Sequence, residues 1–139
     1  MKKGGFISLI IIGFLFNSCC PFAKEDNLGN NFILSEYDNA DRIIIYSEES
    51  CSASGIEIVP MTVVEYASNS RWIIAKSLGA KFATSNEYWL IDKNFKVKLT
   101  GSNDSSLKVI KSHVFGPLDS ISFFNSLQKN KIKLTLKKI

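Results

Sequence analysis

The fold is decided by the stretch IEIVPMTVVEYASNSRWIIAK, which runs from Ile56 to Lys76. Both halves are rich in β-branched and aromatic residues, which favour strands. Pro60 cannot donate a ladder hydrogen bond, so it predicts an edge, a bulge or a break between two short strands. The polar triplet Ser68-Asn69-Ser70 predicts a turn, and Arg71–Lys76 then forms the return strand of a hairpin.

Further segments on both sides of this hairpin carry strand patterns. Consecutive strands joined by short turns pair antiparallel by default. In the last segment, Ile132, Leu134 and Leu136 alternate with polar residues and are expected to point inward. The predicted strands are Phe32–Leu34, Arg42–Tyr46, Tyr88–Asp92, Phe95–Leu99 and Lys131–Lys137, with Leu107–Phe115 ambiguous and interpreted as a short strand.

One helix is predicted near the C-terminus, from Ser120 to Lys129. Asp119 is a good N-cap, because its carboxylate can accept hydrogen bonds from the free amides of the first turn. Apolar residues recur at helical spacing and predict a stripe that packs on the sheet. The stripe consists of Leu118, Ile121, Phe124 and Leu127, with Phe123 four residues before Leu127. The sequence therefore predicts an α+β domain over residues 32–139: a mostly antiparallel sheet of about six strands, with one C-terminal helix packed on a face.

The N-terminus has the pattern of a targeting signal. Lys2 and Lys3 are followed by the apolar stretch FISLIIIGFLF, from Phe6 to Phe16. Its 11 residues suit the apolar region of a signal peptide. They are too few for a membrane-spanning helix, which needs about 20. We therefore predict a signal peptide over residues 1–18.

The next residues, Phe16-Asn17-Ser18-Cys19, resemble the lipobox of bacterial lipoprotein precursors. This resemblance implies lipid attachment at Cys19, with Cys20 as the rival position. An ordinary secretory signal or an uncleaved anchor remains the alternative. The polar residues 19–31 are then expected to be a flexible tether. The implied location is the bacterial cell envelope, anchored in a membrane by lipid, and the outer membrane if the source is Gram-negative.

Charge is distributed unevenly along the chain after the signal peptide. Residues 19–65 contain 2 basic and 9 acidic residues, a net charge of −7, whereas residues 66–139 contain 13 basic and 4 acidic residues, a net charge of +9. Lys131, Lys133, Lys137 and Lys138 are the candidate basic surface for an envelope protein or an anionic envelope polymer. Alternatively, the two halves neutralise each other, and the lysines guard an edge strand against aggregation. No nucleic-acid-binding motif is present, so no nucleic-acid partner is expected.

The residue inventory argues against catalysis. His113 is the only histidine and is more typical of a packed or solvent-facing side chain than of a catalytic base. One His and one Cys in the domain cannot supply a zinc site, and no cofactor motif is present. Four carboxylates are candidates for acid–base work, with surface solvation as the default: Glu48, Glu49, Glu65 and Glu87. Cys20 and Cys51 could pair in an oxidising envelope or remain single thiols. We predict no catalytic residue, no metal site and no cofactor.

Three segments in order, VVEYASNSRWIIAKS, EYWLID and VFGPLDSISFFNSL, resemble a group of small bacterial envelope lipoproteins with an uncharacterised domain. The resemblance covers roughly Phe32 to Ile132 and implies fold and location, but no activity. The chain is thus expected to be a lipid-anchored, non-catalytic binding or accessory module. The alternative is an inhibitor or immunity protein that acts on an exported toxin or hydrolase.

Overall fold

The computed structural model of the chain describes residues 23–37, 41–49, 55–79, 85–99 and 104–139. These residues form two antiparallel sheets, in the strand orders β1-β2-β3-β4 and β8-β7-β6-β5-β9, and two helices. The predicted class, a mostly antiparallel α+β fold with a helix near the C-terminus, is confirmed. The elements are β1 Ala23–Gly29, β2 Phe32–Tyr37, β3 Asp41–Tyr46, β4 Ile56–Val59, β5 Val63–Ser68, β6 Trp72–Leu78, β7 Asn86–Asp92, α1 Asp104–Ser112, β8 Val114–Leu118, α2 Ser120–Lys129 and β9 Lys137–Lys138.

The first hairpin corrects the predicted tether. Residues 23–31 form β1 and the turn into β2, where Ala23 pairs with Tyr37 and Gly29 with Phe32. Asn30 and Asn31 have φ angles of 49° and 64°. A two-residue turn between right-handed twisted strands needs positive φ at both positions, which Asn tolerates. The Asn residues that suggested a flexible segment therefore form a hairpin turn.

The break at Pro60 is confirmed, and it moves the chain from one sheet to the other. β4 ends at Val59 in the first sheet, and β5 begins at Val63 in the second. Thr62, between them, receives hydrogen bonds from both sheets: its hydroxyl accepts from the Arg42 amide at 3.0 Å, and its carbonyl accepts from the Leu78 amide at 3.0 Å. The predicted β5–β6 hairpin is also confirmed.

The main core contains side chains from both sheets. Phe32, Leu34 and Ile44 from the first sheet and Ile73 and Ile91 from the second belong to one buried cluster. The two sheets are also tied at the first hairpin, where the Lys93 ammonium donates to the Leu28 carbonyl. The side-chain amide of Asn30 donates to the Lys93 carbonyl at 2.7 Å. Burial lowers the pKa of Lys93.

A second cluster lies between the second sheet and α2. Helix α2 spans Ser120–Lys129, as predicted, and the Asp119 carboxylate accepts from the Ser122 amide at 2.8 Å. The predicted stripe is wrong, however. Phe123 is fully buried and Leu127 nearly so, whereas Ile121 is 73% and Phe124 is 55% exposed. The helix is rotated about its axis relative to the prediction. Phe123 and Leu127, four residues apart, pack on the sheet, whereas Ile121 and Phe124 of the predicted stripe do not.

Three other predicted strands need correction. Residues 104–112 are helical, so Leu107–Phe115 is divided between α1 and β8. Phe95–Leu99 forms no ladder, and in the last segment only Lys137–Lys138 does. Both segments still alternate between half-buried apolar and exposed polar side chains. The alternation therefore predicted burial of one side of each segment correctly. Such burial does not require a hydrogen-bonded neighbouring strand. The described residues form nine strands in two sheets, where about six in one sheet were expected.

Two grooves beside the C-terminal segment

The C-terminal segment, residues 130–139, is placed by the end of α2 and by its pairing with β5. Lys131 has a φ of 54°, its amide donates to the Gln128 carbonyl, and the Ile132 amide donates to the Leu127 carbonyl at 2.9 Å. This is the Schellman arrangement, which reverses the chain at a helix end. Lys137 then pairs with Tyr66, and Lys138 with Glu65. The segment consequently runs antiparallel to β5, with a groove on each side of it.

The first of these is the lysine groove, which holds about 550 Å³ between β5 and the C-terminal segment. Three of the four predicted lysines line it, and all four are exposed. Lys131 is apart from the groove, at the end of α2. The complete lining is Tyr66, Ala67, Ser68, Lys133, Leu134, Thr135, Lys137 and Lys138.

The carboxylates of Asp26 and Glu65, beside the lysine groove, each have a partner other than its lysines. The Tyr66 hydroxyl donates to the Asp26 carboxylate, and this bond, with partial burial and the carboxylate charge, raises the pKa of Tyr66 to about 12. Glu65 pairs with Lys76 at 3.6 Å. Within the part of the chain that the structure describes, Lys133, Lys137 and Lys138 make no ion pair. The groove is therefore suited to an anionic ligand.

The second is the aromatic groove, which holds about 280 Å³ between α2, the second sheet and the same segment. The Tyr88 and Phe123 rings stack with centroids 4.9 Å apart, and the half-exposed Phe124 ring lies 6.4 Å from Tyr88. The lining is Glu65, Ile74, Tyr88, Phe123, Phe124, Leu127, Leu134, Thr135 and Leu136. Sequence reasoning missed this groove, because it placed Phe124 against the sheet.

His113 and Glu48, two of the candidate acid–base residues, lie in structural contacts. The His113 ring packs on Phe95 with centroids 4.7 Å apart, and its Nδ1 lies 3.0 Å from the Val109 carbonyl oxygen. A Glu48 carboxylate oxygen accepts from the Leu99 amide at 2.7 Å. Among the described residues, no group of three or more His, Cys, Asp or Glu side chains is placed to hold a metal ion. Nor does any helix in the same ranges have the length and apolarity to cross a membrane.

Comparison with known families gives a match over residues 29–139. The matching family is described as "Protein of unknown function (DUF3997)". The chain belongs to this family. No curated protein and no solved structure matched the chain.

The DUF3997 match covers β2 to β9 and both grooves, and it agrees with the expected uncharacterised domain. It starts ten residues after Cys19, so the lipoprotein character stays a prediction. Cys19 itself, the rival Cys20 and the possible Cys20–Cys51 pair all lie outside the described residues.

Proposed function

We propose that this chain is a lipid-anchored protein of the bacterial cell envelope, whose DUF3997 domain is a non-catalytic module that binds an anionic envelope polymer or protein at the lysine groove. The observation that carries the proposal is the gathering of Lys133, Lys137 and Lys138 around one groove without ion-pair partners among the described residues. Lysines that have no acidic partner can pair with a ligand's anionic groups without first breaking an internal contact.

The anchor is supported by the sequence alone. The lipobox-like residues follow a short apolar stretch, and each buried CH₂ group of an acyl chain contributes roughly 0.8 kcal/mol to membrane binding. Two or more chains therefore hold a protein stably at the membrane.

The test of the anchor is fatty-acid labelling in cells. If Cys19 carries the lipid, Cys19→Ala leaves an unprocessed precursor and abolishes labelling, whereas Cys20→Ala does neither. Undiminished labelling of the Cys19 variant would remove the lipoprotein assignment.

The non-catalytic assignment is supported by the contacts of three of the candidate groups. Glu48 binds the Leu99 amide, Glu65 pairs with Lys76, and His113 packs on Phe95. General acid–base catalysis requires such groups to converge on one substrate position. These three are held in separate contacts instead.

The test of the groove uses two sets of lysine substitutions with equal loss of charge. One variant carries Lys→Gln at 131, 133, 137 and 138, and its control carries Lys→Gln at the exposed positions 96, 98, 108 and 111. The probe is a poly(glycerol phosphate) chain, and the association rate is measured at several salt concentrations. The Debye length falls from about 30 Å at 0.01 M to about 10 Å at 0.1 M salt, so steering by the groove weakens as salt rises.

The first variant should associate more slowly and lose most of its salt dependence, and the control should do so much less. Equal effects of both sets would show that only net charge matters. Normal association with increased light scattering would instead identify the lysines as guards of β9, which ends the described second sheet.

The aromatic groove favours the second candidate function, an inhibitor or immunity protein. Exposed aromatic side chains, such as the Phe124 ring of this groove, are typical of the centres of protein interfaces. A crosslinking pull-down from envelopes distinguishes the two functions. Capture of an acidic hydrolase with a deep cleft supports the inhibitor, and capture of an envelope assembly component supports the accessory module.

A further inference from the structure

One end of the two sheets carries the start of β1. Ala23, Tyr37 and Asp41 are in register across the first three strands. The Arg42 amide bonds to Thr62, which also receives the Leu78 amide of the second sheet. We call this the anchor end and define it by Ala23, Asp41, Met61 and Leu78.

The distance from the anchor end to Cys19 is limited by the chain. Because β1 begins at Ala23, only four residue steps separate it from Cys19. An extended chain spans at most about 3.6 Å per residue, so the first residue of the sheet lies within about 14 Å of the lipidated residue. A tether over residues 19–31 would have allowed roughly three times that distance.

The anchor end exposes two apolar side chains. Met61 and Leu78 are each 47% exposed, and they are neighbours through the hydrogen bond between Leu78 and Thr62. Arg42 at this end is already paired with Glu36 at 2.6 Å, and the exposed Lys24 and Asp41 carry opposite charges. A surface of this kind suits the apolar part of a bilayer interface and does not need anionic lipid.

We propose that the anchor end is a membrane-docking surface, in which Met61 and Leu78 enter the lipid interface when Cys19 is lipidated. The proposal rests on the proposed lipid anchor. The short connection keeps the two side chains at a high effective concentration near the bilayer, so even a small apolar area suffices. Docking here orients the whole domain.

The orientation determines which partner the lysine groove can reach. The groove is lined by Tyr66, Ala67 and Ser68 in the second half of β5, whereas Val63 lies beside the anchor end. Five residue steps of strand separate Val63 from Ser68, about 17 Å at 3.3 Å per residue. Lys138 pairs with Glu65, only two steps or about 7 Å from Val63. The groove therefore extends along β5 from near the anchor end, and its Ser68 end lies beyond the Debye length of about 8 Å at physiological salt. Docking consequently turns the Ser68 end of the groove away from the lipid headgroups.

The test uses the full chain, produced in a bacterium that lipidates it and reconstituted in phosphatidylcholine vesicles. In a Cys20→Ser, Cys51→Ser background, an environment-sensitive fluorophore is attached through Met61→Cys or Leu78→Cys. The controls are Ser70→Cys and Asn94→Cys, which are exposed and lie at the opposite end of the second sheet. Brominated lipid then reports contact with the bilayer, and mass spectrometry reports lipid on Cys19.

Docking predicts a blue shift and quenching at sites 61 and 78, and neither at sites 70 and 94. Equal signals at all four sites on lipidated protein overturn the docking surface but leave the anchor intact. A chain without lipid on Cys19 overturns the anchor, and the docking surface with it.

A third probe at the anchor end distinguishes docking by Met61 and Leu78 from retention by the short connection, residues 19–22, alone. Asp41→Cys lies at the anchor end and leaves both apolar side chains in place. Adding Met61→Ser and Leu78→Ser should reduce the quenching at site 41. Unchanged quenching would show that the short connection to Cys19 alone holds this end near the bilayer, which also overturns the proposal.

Discussion

Gly116 lies directly against the indole ring of Trp89. A Cβ atom on Gly116 would lie 2.6 Å from Cε3 of that ring and 2.9 Å from the Tyr88 carbonyl oxygen. Its φ of +152° is also a conformation that side-chain-bearing residues rarely adopt. This contact lets the edge strand β8 approach β7 at the point where their register shifts between Tyr88 and Leu90.

Gly116→Ala should therefore destabilise the domain. Backbone strain alone costs about 1–3 kcal/mol, and overlap with Trp89 adds to it. We expect a loss of at least about 2 kcal/mol, or a fall in melting temperature of about 8 °C at roughly 4 °C per kcal/mol. Thermal unfolding followed by circular dichroism measures it. Ser70→Ala, at an exposed turn, is the control, and a shift no larger than the control's would show that β8 can move away from β7.

The two adjacent phenylalanines of α2 should behave differently. Phe123 is fully buried against Tyr88, so Phe123→Ala should cost about 3–5 kcal/mol. Phe124 is 55% exposed, and Phe124→Ala should cost about 1 kcal/mol or less. Denaturant unfolding of both variants gives the comparison. A larger loss of stability for Phe124→Ala than for Phe123→Ala would show that Phe124, as predicted, packs on the sheet.

Local features of the fold could be predicted from the sequence. The turn at residues 68–70, the break at Pro60 and the Asp119 cap each depend on a few neighbouring residues. The division into two sheets could not be predicted in this way, since it depends on which strands pair over long distances. The rotation of α2 was also missed, because Phe123 and Phe124 both fit a helical period.

The candidate site was predictable only as a set of residues. The C-terminal lysines stand out as a cluster of charge, but three of them share a groove because Lys137 pairs with Tyr66, 71 positions earlier. No local pattern encodes that pairing. The short connection between Cys19 and β1 could not be predicted for a different reason. Asn30 and Asn31 suit both loops and hairpin turns, so the sequence did not distinguish a tether from a strand and its turn.

Asp92 should make the stability of the folded domain depend on pH. Burial would raise the pKa of Asp92, but hydrogen bonds from Arg71, at 3.0 Å, and from the Asn94 amide, together with the Arg71 charge, outweigh it and hold the pKa below its usual value. The folded state then binds fewer protons than the unfolded one, so the contribution is present above the unfolded pKa of about 3.9 and is lost as pH falls through the folded value.

Asp92→Asn should accordingly lower stability at pH 7, and its difference from the parent should narrow below about pH 4. The effect is small, because the Arg71 side chain is 56% exposed. Denaturant midpoints across this pH range measure it, with Asp41→Asn as a control that breaks no ion pair among the described residues. A difference that stayed constant with pH would remove Asp92 as the source.

Lys131 occupies a position in the Schellman turn that favours glycine. Its φ of 54° costs a residue with a side chain about 1–2 kcal/mol, and a glycine almost nothing. Lys131→Gly should therefore stabilise the domain, by about 0.5–1 kcal/mol after the greater freedom of glycine in the unfolded chain is deducted. Lys131→Gln removes the same charge but keeps the strain, so it should leave stability nearly unchanged. Equal denaturant midpoints for the two variants would mean that charge, and not backbone conformation, determines the effect of this residue.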